Sequence, residues 1–333
     1  MSFIQPFVVS LGDPAGIGPE VTAKAWEARR DARLPPFFAV GDAASISAVW
    51  RGPLHLIDDV SEVKRSFDTA LPVWHLESGG VVEPGHPTTD GALMALKALE
   101  IGAGLARSGA AGALITGPVS KHQLYQIGYD LPGQTEYVAQ ACGVSKANAT
   151  MMLAGPSLRV VPVTIHVPYK DVPALLTIDL IKARARATVK GLRRDFGIAE
   201  PRLAIAGLNP HAGENGALGR EEIEIVGPAV RQLRDEGIDI SGPYPPDAMF
   251  TPQMRATYDA ALCLYHDQGL IPLKTLHFDE GVNMTLGLPI IRTSPDHGTA
   301  FAIAGRNEAH PGAMIAAIAM AHEAARHRAL EPA

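Results

Sequence analysis

Three histidines each stand at the end of an apolar run and are followed within three residues by Pro or Gly. The runs VVPVTIH, LAIAGLNPH and AALCLYH end at His166, His211 and His266. Each pattern predicts a buried strand that carries an imidazole to the loop at its carboxyl end. Open α/β sheets bind ligands at that edge, where three neutral imidazoles would hold a divalent metal ion with positions left for substrate. The alternative is three unrelated loop histidines.

A second set of polar residues lies between Tyr265 and Arg306. Lys274, Asn283 and Arg292 each stand on a Gly- or Pro-punctuated segment and do not follow the i, i+4 spacing of a solvated helix. If they converge, they would clamp a phosphate, with Arg binding through two hydrogen bonds and Lys as a point charge. The alternative is a set of scattered surface charges.

Two loops precede predicted helices and could bind an anion. The first is GDPAGIGPE, residues 12–20, which either exposes backbone N–H groups to a phosphate or is a tight turn that needs glycine. The second is PGQTE, in which Gln134 and Thr135 begin a helix. Their hydroxyl, amide and backbone N–H groups suit an anion, but an ordinary helix N-cap is the alternative.

Three residues are candidates for a general base: Asp247 in PYPPDAMF, Asp267 beside His266, and Lys121 after TGPVS. The two carboxylates could instead orient imidazole N–H groups, and each of the three has an ordinary salt-bridge interpretation. The segment DHGTA, with His297, Gly298 and Thr299, is rich in backbone and could wrap an adenine or a ribose.

Composition limits the class of protein. The 333 residues are 47% hydrophobic and 19% charged, which is typical of a globular protein. A net charge of -6 with scattered basic residues argues against a nucleic-acid partner. The two cysteines suggest neither a disulfide framework nor a cysteine zinc site. No signal peptide or membrane-length apolar stretch is recognised, so we expect a cytoplasmic protein with no membrane partner.

Strand-like runs alternate with helical patterns, which predicts an α/β fold around a largely parallel sheet. The predicted strands lie in PFVVSLG, PPFFAVGD, GALITGP, ATMMLAG, RVVPVTIH, RLAIAGLN, AALCLYHD and LPIIRTS. Helices are predicted at Gly91–Arg107, Ile178–Phe196, Glu221–Glu236 and Pro311–Arg328. The chain contains neither G-x-G-x-x-G nor G-x-x-x-x-G-K-[ST], which disfavours a Rossmann site and a P-loop.

The chain resembles the 4-hydroxythreonine-4-phosphate dehydrogenase family over nearly its whole length. The matching segments include GDPAGIGPE, TGPVSK, LNPHAGENG, GREE, GPYPPDAMF, YHDQGLIPLK and GVNMTLGLPIIRTSPDHGTAF. The resemblance implies two α/β/α domains with an inter-domain cleft, like isocitrate and isopropylmalate dehydrogenases and not Rossmann. The first domain would comprise residues 1–130 and 280–333 on the cofactor side. The second, 131–279, would be the metal and dimerisation side.

The resemblance also implies which residues of this chain bind the metal ion and which bind the substrate. His166, His211 and His266 match metal ligands contributed across a homodimer interface, for one zinc, magnesium, cobalt, manganese or nickel ion. The matching substrate-binding positions are Gln134, Thr135, Lys274, Asn283 and Arg292. The family usually has GHTE where this chain has GQTE, and Gln cannot take up a proton as His can. Ala302 stands where an acidic residue is common, so NAD and NADP both remain open.

The implied reaction is metal-dependent, NAD(P)-linked oxidation of 4-phosphooxy-L-threonine at C3. Decarboxylation to 3-amino-2-oxopropyl phosphate follows, in pyridoxal 5'-phosphate biosynthesis. Related alternatives are dehydrogenases for 4-phosphothreonate, 4-phosphoerythronate or a dihydrodiol carboxylate. A phosphate acyltransferase of related fold is the alternative from another enzyme class, and a non-catalytic binding protein is the least favoured.

Overall fold

The protein is described by a computed structural model for residues 4–77, 79–145 and 148–330. The chain divides into two compact units. Unit 1 consists of Met1–Ser145 and Leu288–Ala333, and unit 2 consists of Lys146–Gly287. Within the described ranges, no helix is long and apolar enough to span a membrane.

Short strands occur along the whole chain. The strands of unit 1 are β1 (Phe7–Ser10), β2 (Phe37–Gly41), β3 (Leu54–Leu56), β4 (Leu71–His75), β5 (Leu114–Thr116) and β12 (Arg292–Pro295). Those of unit 2 are β6 (Thr150–Gly155), β7 (Leu158–Pro162), β8 (Leu203–Ala206), β9 (Ile240–Tyr244), β10 (Ala260–Cys263) and β11 (Val282–Leu286).

Helices connect most of these strands. Unit 1 has α1 (Gly18–Glu27), α2 (Ala43–Val49), α3 (Val63–Ser66), α4 (Thr89–Ser108), α5 (Lys121–Gln126), α6 (Gln134–Ala141) and α13 (Gly312–Leu330). Unit 2 has α7 (Val172–Leu175), α8 (Ile178–Phe196), α9 (Gly227–Asp235), α10 (Pro246–Met249), α11 (Pro252–Arg255) and α12 (His266–His277). Short 3-10 helices span Val60–Glu62, Tyr169–Asp171 and Phe301–Ile303, and a π-helical turn spans Glu222–Val226. The segment Pro210–Gly216 forms a left-handed turn.

The strands of unit 1 run in the order β3-β4-β2-β1-β5-β12, and each of these neighbouring pairs is parallel. The sequences FVVS, FFAVG and LIT of β1, β2 and β5 are apolar throughout, and all their residues are buried. Continuous burial is typical of parallel strands, whose two faces are both covered by helices. The carboxyl ends of these strands therefore lie at one edge.

Unit 2 has a mixed sheet in the order β11-β6-β7-β10-β8-β9. The pairs β7–β10, β10–β8 and β8–β9 are parallel, whereas β6 is antiparallel to both β7 and β11. Leu270 and Leu273 of α12 join the buried cluster that contains Val160 and Ala261 of the sheet. Burial of each leucine contributes roughly 1.5–3 kcal/mol, which holds the helix that begins at His266 against the strands.

The unit boundaries lie further along the chain than the predicted ones after residues 130 and 279. Helix α6 contacts α4, which keeps residues 134–141 in unit 1. Strand β11 pairs with β6 from Val282 to Leu286, which keeps that strand in unit 2. Pairing partners distant in the sequence therefore decide both boundaries.

The predicted helices are all present, with local signals at their ends. Thr177 caps α8 by accepting a hydrogen bond from the N–H of Leu180, and Gly197 ends it at φ 65°. The helix predicted at Glu221–Glu236 is interrupted, because its first part forms the π-helical turn. Strands β3, β4, β9 and β11 were not predicted, since they are short or contain Pro, Gly or Asn.

Candidate functional site

The three histidines each follow a strand of unit 2. His166 lies four residues after β7, His211 five residues after β8, and His266 three residues after β10. Strand β10 pairs in parallel with both β7 and β8, so the three strands leave the same edge of the sheet. The structure thus places all three histidines in neighbouring loops at the edge where α/β sheets bind ligands.

His211 lies in a left-handed turn within the segment Pro210–Gly216. Its φ is 52°, and the next four residues also have positive φ, with 51° at Ala212, 82° at Gly213, 42° at Glu214 and 55° at Asn215. This conformation costs roughly 1–2 kcal/mol for each residue that carries a Cβ. Such strain persists only where the surrounding structure fixes the turn, and it clusters at functional sites.

His166 and His266 face each other. Their ring centroids are 5.4 Å apart, and the ring planes are tilted by 42°. Two imidazoles bound to one zinc ion at about 2.1 Å would place their centroids about 5 Å apart. Nδ1 of His266 lies 2.8 Å from Oδ1 of Asp267, which leaves Nε2 to face a metal ion. The histidine pair therefore fits a shared divalent ion.

The predicted set of three ligands is incomplete within one chain. Among residues 4–77, 79–145 and 148–330, no group of three or more His, Cys, Asp or Glu side chains could hold a metal ion. The structure brings His166 and His266 together and leaves His211 in its own exposed turn. Two imidazoles occupy only half of the four positions that zinc usually fills.

Helix α12 carries Lys274 on the same face as His266 and Asp267. These side chains line a surface groove of about 480 Å³ together with Leu270, Ile271 and Thr275. The sequence interpretation had Lys274 outside a regular helix, which is wrong: Pro272 is accommodated inside α12. The spacing of eight residues from His266 to Lys274 is about two helical turns, so the helix aligns the two side chains.

Asn283 lies inside β11, where it pairs with Leu153 of β6, and not on an irregular segment. Its Oδ1 is buried, and no hydrogen-bond donor reaches it from the described part of the chain. A buried carbonyl oxygen without a donor fits a ligand group that donates. Asp247 lies on the short helix α10 and is exposed.

Arg292, the first residue of β12, is the buried cation of unit 1. It is only 3% exposed, and it donates to the hydroxyls of Thr116 at 2.7 Å and Thr135 at 3.2 Å. Burial lowers the pKa of Arg292 to about 10, and the nearby Glu136 opposes that shift. The guanidinium therefore stays charged at neutral pH and suits an anionic ligand. Lys274 and Asn283, the other predicted clamp residues, belong to unit 2.

Gln134 and Thr135 begin α6, as predicted, but neither is the N-cap. Gly133 takes that position without a side-chain hydrogen bond, so the N-cap alternative is wrong. Thr135 instead accepts from Arg292, and Nε2 of Gln134 donates to the carbonyl of Gly117 at 3.0 Å. Oε1 of Gln134 is buried and receives no hydrogen bond from the described residues, so it can accept one from a ligand.

Lys121 is the first residue of α5 and is exposed. A Cβ built on Gly133 would lie 4.0 Å from its Nζ, so the ammonium group lies beside the start of α6. The structure therefore brings Lys121 close to Gln134, two residues that were predicted from separate motifs.

In the loop at residues 12–20, four backbone N–H groups are bonded inside unit 1, which favours the tight turn over the phosphate cradle. These bonds run from Asp13 to Pro118 O, Ala15 to Asp13 Oδ1, Gly16 to Asp13 O, and Ile17 to Thr299 O, at 2.9–3.0 Å. Burial raises the pKa of Asp13. The loop is buried throughout, so no N–H group among these four faces a ligand.

The predicted cofactor segment follows β12 and packs against this loop. The carbonyl of Thr299 accepts from Ile17, and Nδ1 of His297 lies 3.1 Å from the carbonyl of Gly298. Gly298 is exposed, and a Cβ built on it would meet no atom within 4 Å. Open space beside Gly298 leaves room for a ligand.

The sequence did not single out Thr116 as a partner of Arg292. It is the last residue of β5, and its hydroxyl accepts the shortest of the Arg292 contacts described above. The signal was available: a threonine at a strand end, immediately before Gly-Pro, places a hydroxyl at the ligand-binding edge.

The chain is similar to known proteins over nearly its whole length. The family described as Pyridoxal phosphate biosynthetic protein PdxA matches residues 35–321. A 4-hydroxythreonine-4-phosphate dehydrogenase from Zymomonas mobilis is 58% identical over 325 residues, covering 98% of this chain and 97% of the relative.

Solved structures give the same result. The crystal structure of 4-hydroxythreonine-4-phosphate dehydrogenase from Klebsiella pneumoniae aligns with a TM-score of 0.83 at 35% identity, covering 97% of this chain and 98% of that one. Isocitrate dehydrogenase from Methylococcus capsulatus, at 15% identity and a TM-score of 0.50, covers 97% and 88% and supports the predicted fold class alone. The chain belongs to the PdxA family.

Proposed function

We propose that the chain oxidises 4-phosphooxy-L-threonine at C3 with NAD or NADP, in a metal-dependent reaction. The product then loses CO2 to give 3-amino-2-oxopropyl phosphate, in pyridoxal 5'-phosphate biosynthesis. The activity named for the similar proteins from Zymomonas mobilis and Klebsiella pneumoniae supports a dehydrogenase. The observation that carries the proposal is the placement of His166, His211 and His266 after three adjacent parallel strands.

The histidines would hold one divalent ion, which could be zinc, magnesium, cobalt, manganese or nickel. When bound, such an ion polarises the substrate oxygen, which favours loss of the hydroxyl proton and later stabilises the negative charge left by CO2. His166 and His266 provide two imidazoles at a suitable separation. Asp267 fixes the ring orientation of His266 through Nδ1.

Arg292 would bind the phosphate of the substrate. It is a buried guanidinium, and the hydroxyls of Thr116 and Thr135 fix its orientation before any ligand arrives. A preorganised cation binds a phosphate without first losing side-chain freedom. Lys274, in the groove beside His266, supplies a second positive charge for an anionic group.

Gln134 and Asn283 each have a buried carbonyl oxygen that lacks a donor from the described residues. The amino and hydroxyl groups of the proposed substrate are donors and would satisfy such oxygens. Because Gln134 is neutral at all ordinary pH values, it can bind and orient but cannot exchange a proton. Lys121, Asp267 and Asp247 stay the candidates for the base. Lys121 lies beside the start of α6, Asp267 contacts His266, and Asp247 is exposed on α10.

A cytoplasmic homodimer with a shared metal site is part of the proposal. Apolar side chains are exposed at α12, where Ile271 is 65% and Phe278 75% accessible. Large apolar groups at this exposure favour burial against another protein surface. Ile271 lines the groove that carries His266, so a second copy seated there would lie next to the metal ligands. NAD or NADP is proposed to bind near His297, Gly298 and Thr299.

A second candidate function is the oxidation of another phosphorylated hydroxy acid, such as 4-phosphothreonate or 4-phosphoerythronate. Gln134 favours this candidate, because it stands where the family usually has His and contacts the loop of Gly117. A dihydrodiol carboxylate fits the buried Arg292 less specifically, and a phosphate acyltransferase would need no histidine ligands.

The test is a substrate panel with the full-length protein. Reduction of NAD+ or NADP+ is followed at about 340 nm with 4-phosphooxy-L-threonine, 4-phosphothreonate, 4-phosphoerythronate and a dihydrodiol carboxylate, with and without chelator. We expect turnover of 4-phosphooxy-L-threonine that the chelator abolishes. His211→Ala should lower kcat by at least about a hundredfold, since a lost metal ligand removes the ion's contribution to the barrier.

His55→Ala is the matched control, because His55 is half-exposed on the short strand β3 of unit 1 and contacts Glu62. It should keep wild-type turnover. Full activity of a folded His211→Ala protein in the presence of chelator would contradict the metal assignment. Turnover of only a different panel member would replace the substrate, and acyl transfer without nicotinamide reduction would replace the reaction.

A further inference from the structure

Three buried polar side chains lie next to the histidine loops of unit 2. Thr164 is 5% exposed, and Gln268 and Glu222 are 6% exposed each. Residues of these types are mostly exposed in proteins, and burial of their polar atoms is unfavourable unless hydrogen bonds satisfy them. Their hydrogen bonds reach Leu264, Gly207, Leu208 and Asn209, each two to four residues before a histidine. We call these three residues the strand-end belt.

The first link joins the loops of His166 and His266. Oγ1 of Thr164 donates to the carbonyl of Leu264 at 2.8 Å, and the N–H of Thr164 reaches the same oxygen at 3.3 Å. Thr164 stands two residues before His166, and Leu264 stands two residues before His266. The link therefore continues the pairing of β7 with β10 beyond the end of both strands.

Gln268 forms the second link, between the loops of His266 and His211. Its Oε1 accepts from the N–H of Leu264 at 2.6 Å, and its Nε2 donates to the carbonyl of Gly207 at 2.7 Å. The oxygen and the nitrogen of the amide both form hydrogen bonds, to partners 4 and 61 residues away in the sequence, respectively. A single side chain thus sets the separation of the segments before the two histidines.

Glu222 forms the third link, at the base of the His211 turn. Oε1 accepts from the N–H groups of Leu208 at 2.7 Å and Asn209 at 2.8 Å, and Oε2 accepts from Nδ2 of Asn209 at 2.9 Å. A Cβ built on Gly213 would lie 2.6 Å from Oε2, so the turn closes directly over the carboxylate. Glu222 begins the π-helical turn, a feature often found at functional sites.

We propose that Thr164, Gln268 and Glu222 are positioning residues that fix where each chain presents its three histidine loops, so that histidines of one chain and of a second copy can meet at one metal ion. This inference rests on the proposed function, because it takes the histidines to be metal ligands. Metal affinity depends on ligand geometry within a few tenths of an ångström, so the groups that hold the ligands matter nearly as much as the ligands. The left-handed backbone at His166 and His211 makes such support necessary.

Thr188 provides a matched control within the same unit. It is fully buried, and its hydroxyl donates to the carbonyl of Arg184 at 2.7 Å inside α8. Thr164→Val and Thr188→Val therefore each replace a buried hydroxyl by a methyl group and remove one bond to a backbone carbonyl. Only Thr164→Val removes a bond between histidine loops.

The experiment measures Co2+ binding to the full-length protein by titration of its visible absorption spectrum, together with stability in urea. Co2+ reports ligand geometry through its spectrum as well as its affinity. We expect Gln268→Leu to weaken Co2+ binding by about 10–100-fold and to change the spectrum, as loss of a ligand-orienting partner typically does. Thr164→Val should weaken binding several-fold, whereas Thr188→Val should lose stability and keep the wild-type Kd.

Glu222→Gln and Glu222→Ala extend the series, because Gln keeps an oxygen at the position of Oε1 and should retain more Co2+ affinity than Ala. If Gln268→Leu does not fold, Gln268→Glu decides instead, since it keeps the acceptor for Leu264 and loses the donor to Gly207.

The two proposals fail in different ways. If the wild type does not bind Co2+, or His166→Ala and His211→Ala leave binding unchanged, the proposed metal site is wrong. If those histidine variants abolish binding while Gln268→Leu and Thr164→Val keep the wild-type Kd and spectrum, the strand-end belt is wrong and the metal site stands. An equal loss of affinity in Thr188→Val would also contradict the positioning role of the strand-end belt, because general destabilisation would then explain the effect.

Discussion

Units 1 and 2 fix their loops by different means. In unit 1, the loop at residues 12–17 is held by bonds from its own backbone N–H groups, and glycine allows the close approach of neighbouring chain. In unit 2, the loops of His166, His211 and His266 are held by the buried side chains of Thr164, Gln268 and Glu222.

This difference predicts which loop substitutions change stability and which change ligand binding. A loop fixed by its backbone has no room for a Cβ, so its substitutions act first on folding. A loop fixed by side chains can lose one bond and remain folded, while the group it presents moves. We therefore expect loop substitutions in unit 1 to act mainly on stability and those in unit 2 to act mainly on ligand binding.

The largest effect is expected for Gly18→Ala, at the start of α1. A Cβ at Gly18 would overlap the carbonyl oxygen of Leu11, so backbone must move. We expect a loss of about 3 kcal/mol or more in the free energy of unfolding, measured in urea, because overpacking against backbone cannot relax through a side chain.

Gly104→Ala provides the control for that substitution. Gly104 lies inside α4 with no atom within 4 Å of a built Cβ. Alanine there should stabilise unit 1 by roughly 0.5–1 kcal/mol, as expected for an open helix interior. A Gly18→Ala protein as stable as wild type would remove the proposed distinction between the units.

A smaller and more specific effect is expected for Arg292. Its orientation in unit 1 is fixed by hydrogen bonds to side chains and not by the backbone alone. Arg292→Lys keeps the charge but loses the planar donors that reach Thr116 and Thr135. We expect the KM for 4-phosphooxy-L-threonine to rise by about tenfold or more, since charge-assisted hydrogen bonds contribute roughly 1.5–3 kcal/mol. The KM for NAD+ should stay within about twofold, measured by initial rates.

Arg29→Ala is the matched control, since Arg29 lies 3.6 Å from the ring centroid of Trp26 and belongs to unit 1. It should lower stability and leave both KM values unchanged. Equal increases in the KM of substrate and nicotinamide for Arg292→Lys would argue against phosphate binding by this residue.

The smallest effect is expected for Glu236→Gln, on the surface of unit 2. Hydrogen bonds from Arg186 and then Lys182 lower the pKa of Glu236 to about 2. Its stabilisation is therefore fully present above the unfolded pKa of 4.5 and is lost as the pH falls through about 2. We expect a small decrease in Tm at pH 7 that shrinks below pH 4.5 and in about 1 M salt.

A Tm difference that is the same at pH 7 and pH 3 would show that Glu236 acts through packing and not through charge. The expected result would show that this surface ion pair of unit 2 contributes little to stability. The important side-chain bonds of unit 2 would then be those of the strand-end belt.

Much of the fold could be predicted from the sequence because the relevant signals are local. The apolar run RLAIAGLN predicted β8, and the helical pattern of residues 178–196 predicted α8. Strands β9 and β11 could not be predicted in this way, since Gly, Pro and Asn weaken their patterns and only pairing with β8 and β6 makes them strands. Lys274 was misplaced because Pro272 suggested a break that packing of α12 against the sheet overcomes.

The sequence by itself determined the α/β class, the family and the position of three histidines after strands. These follow from short-range alternation and from long matching segments. Only the tertiary structure decided which side chains hold others: Arg292 meets Thr116 across 176 residues, and Gln268 meets Gly207 across 61. Parallel strands distant in sequence become neighbours at one edge, and buried polar atoms there must find partners. That requirement acts between loops, which is why no single segment reveals it.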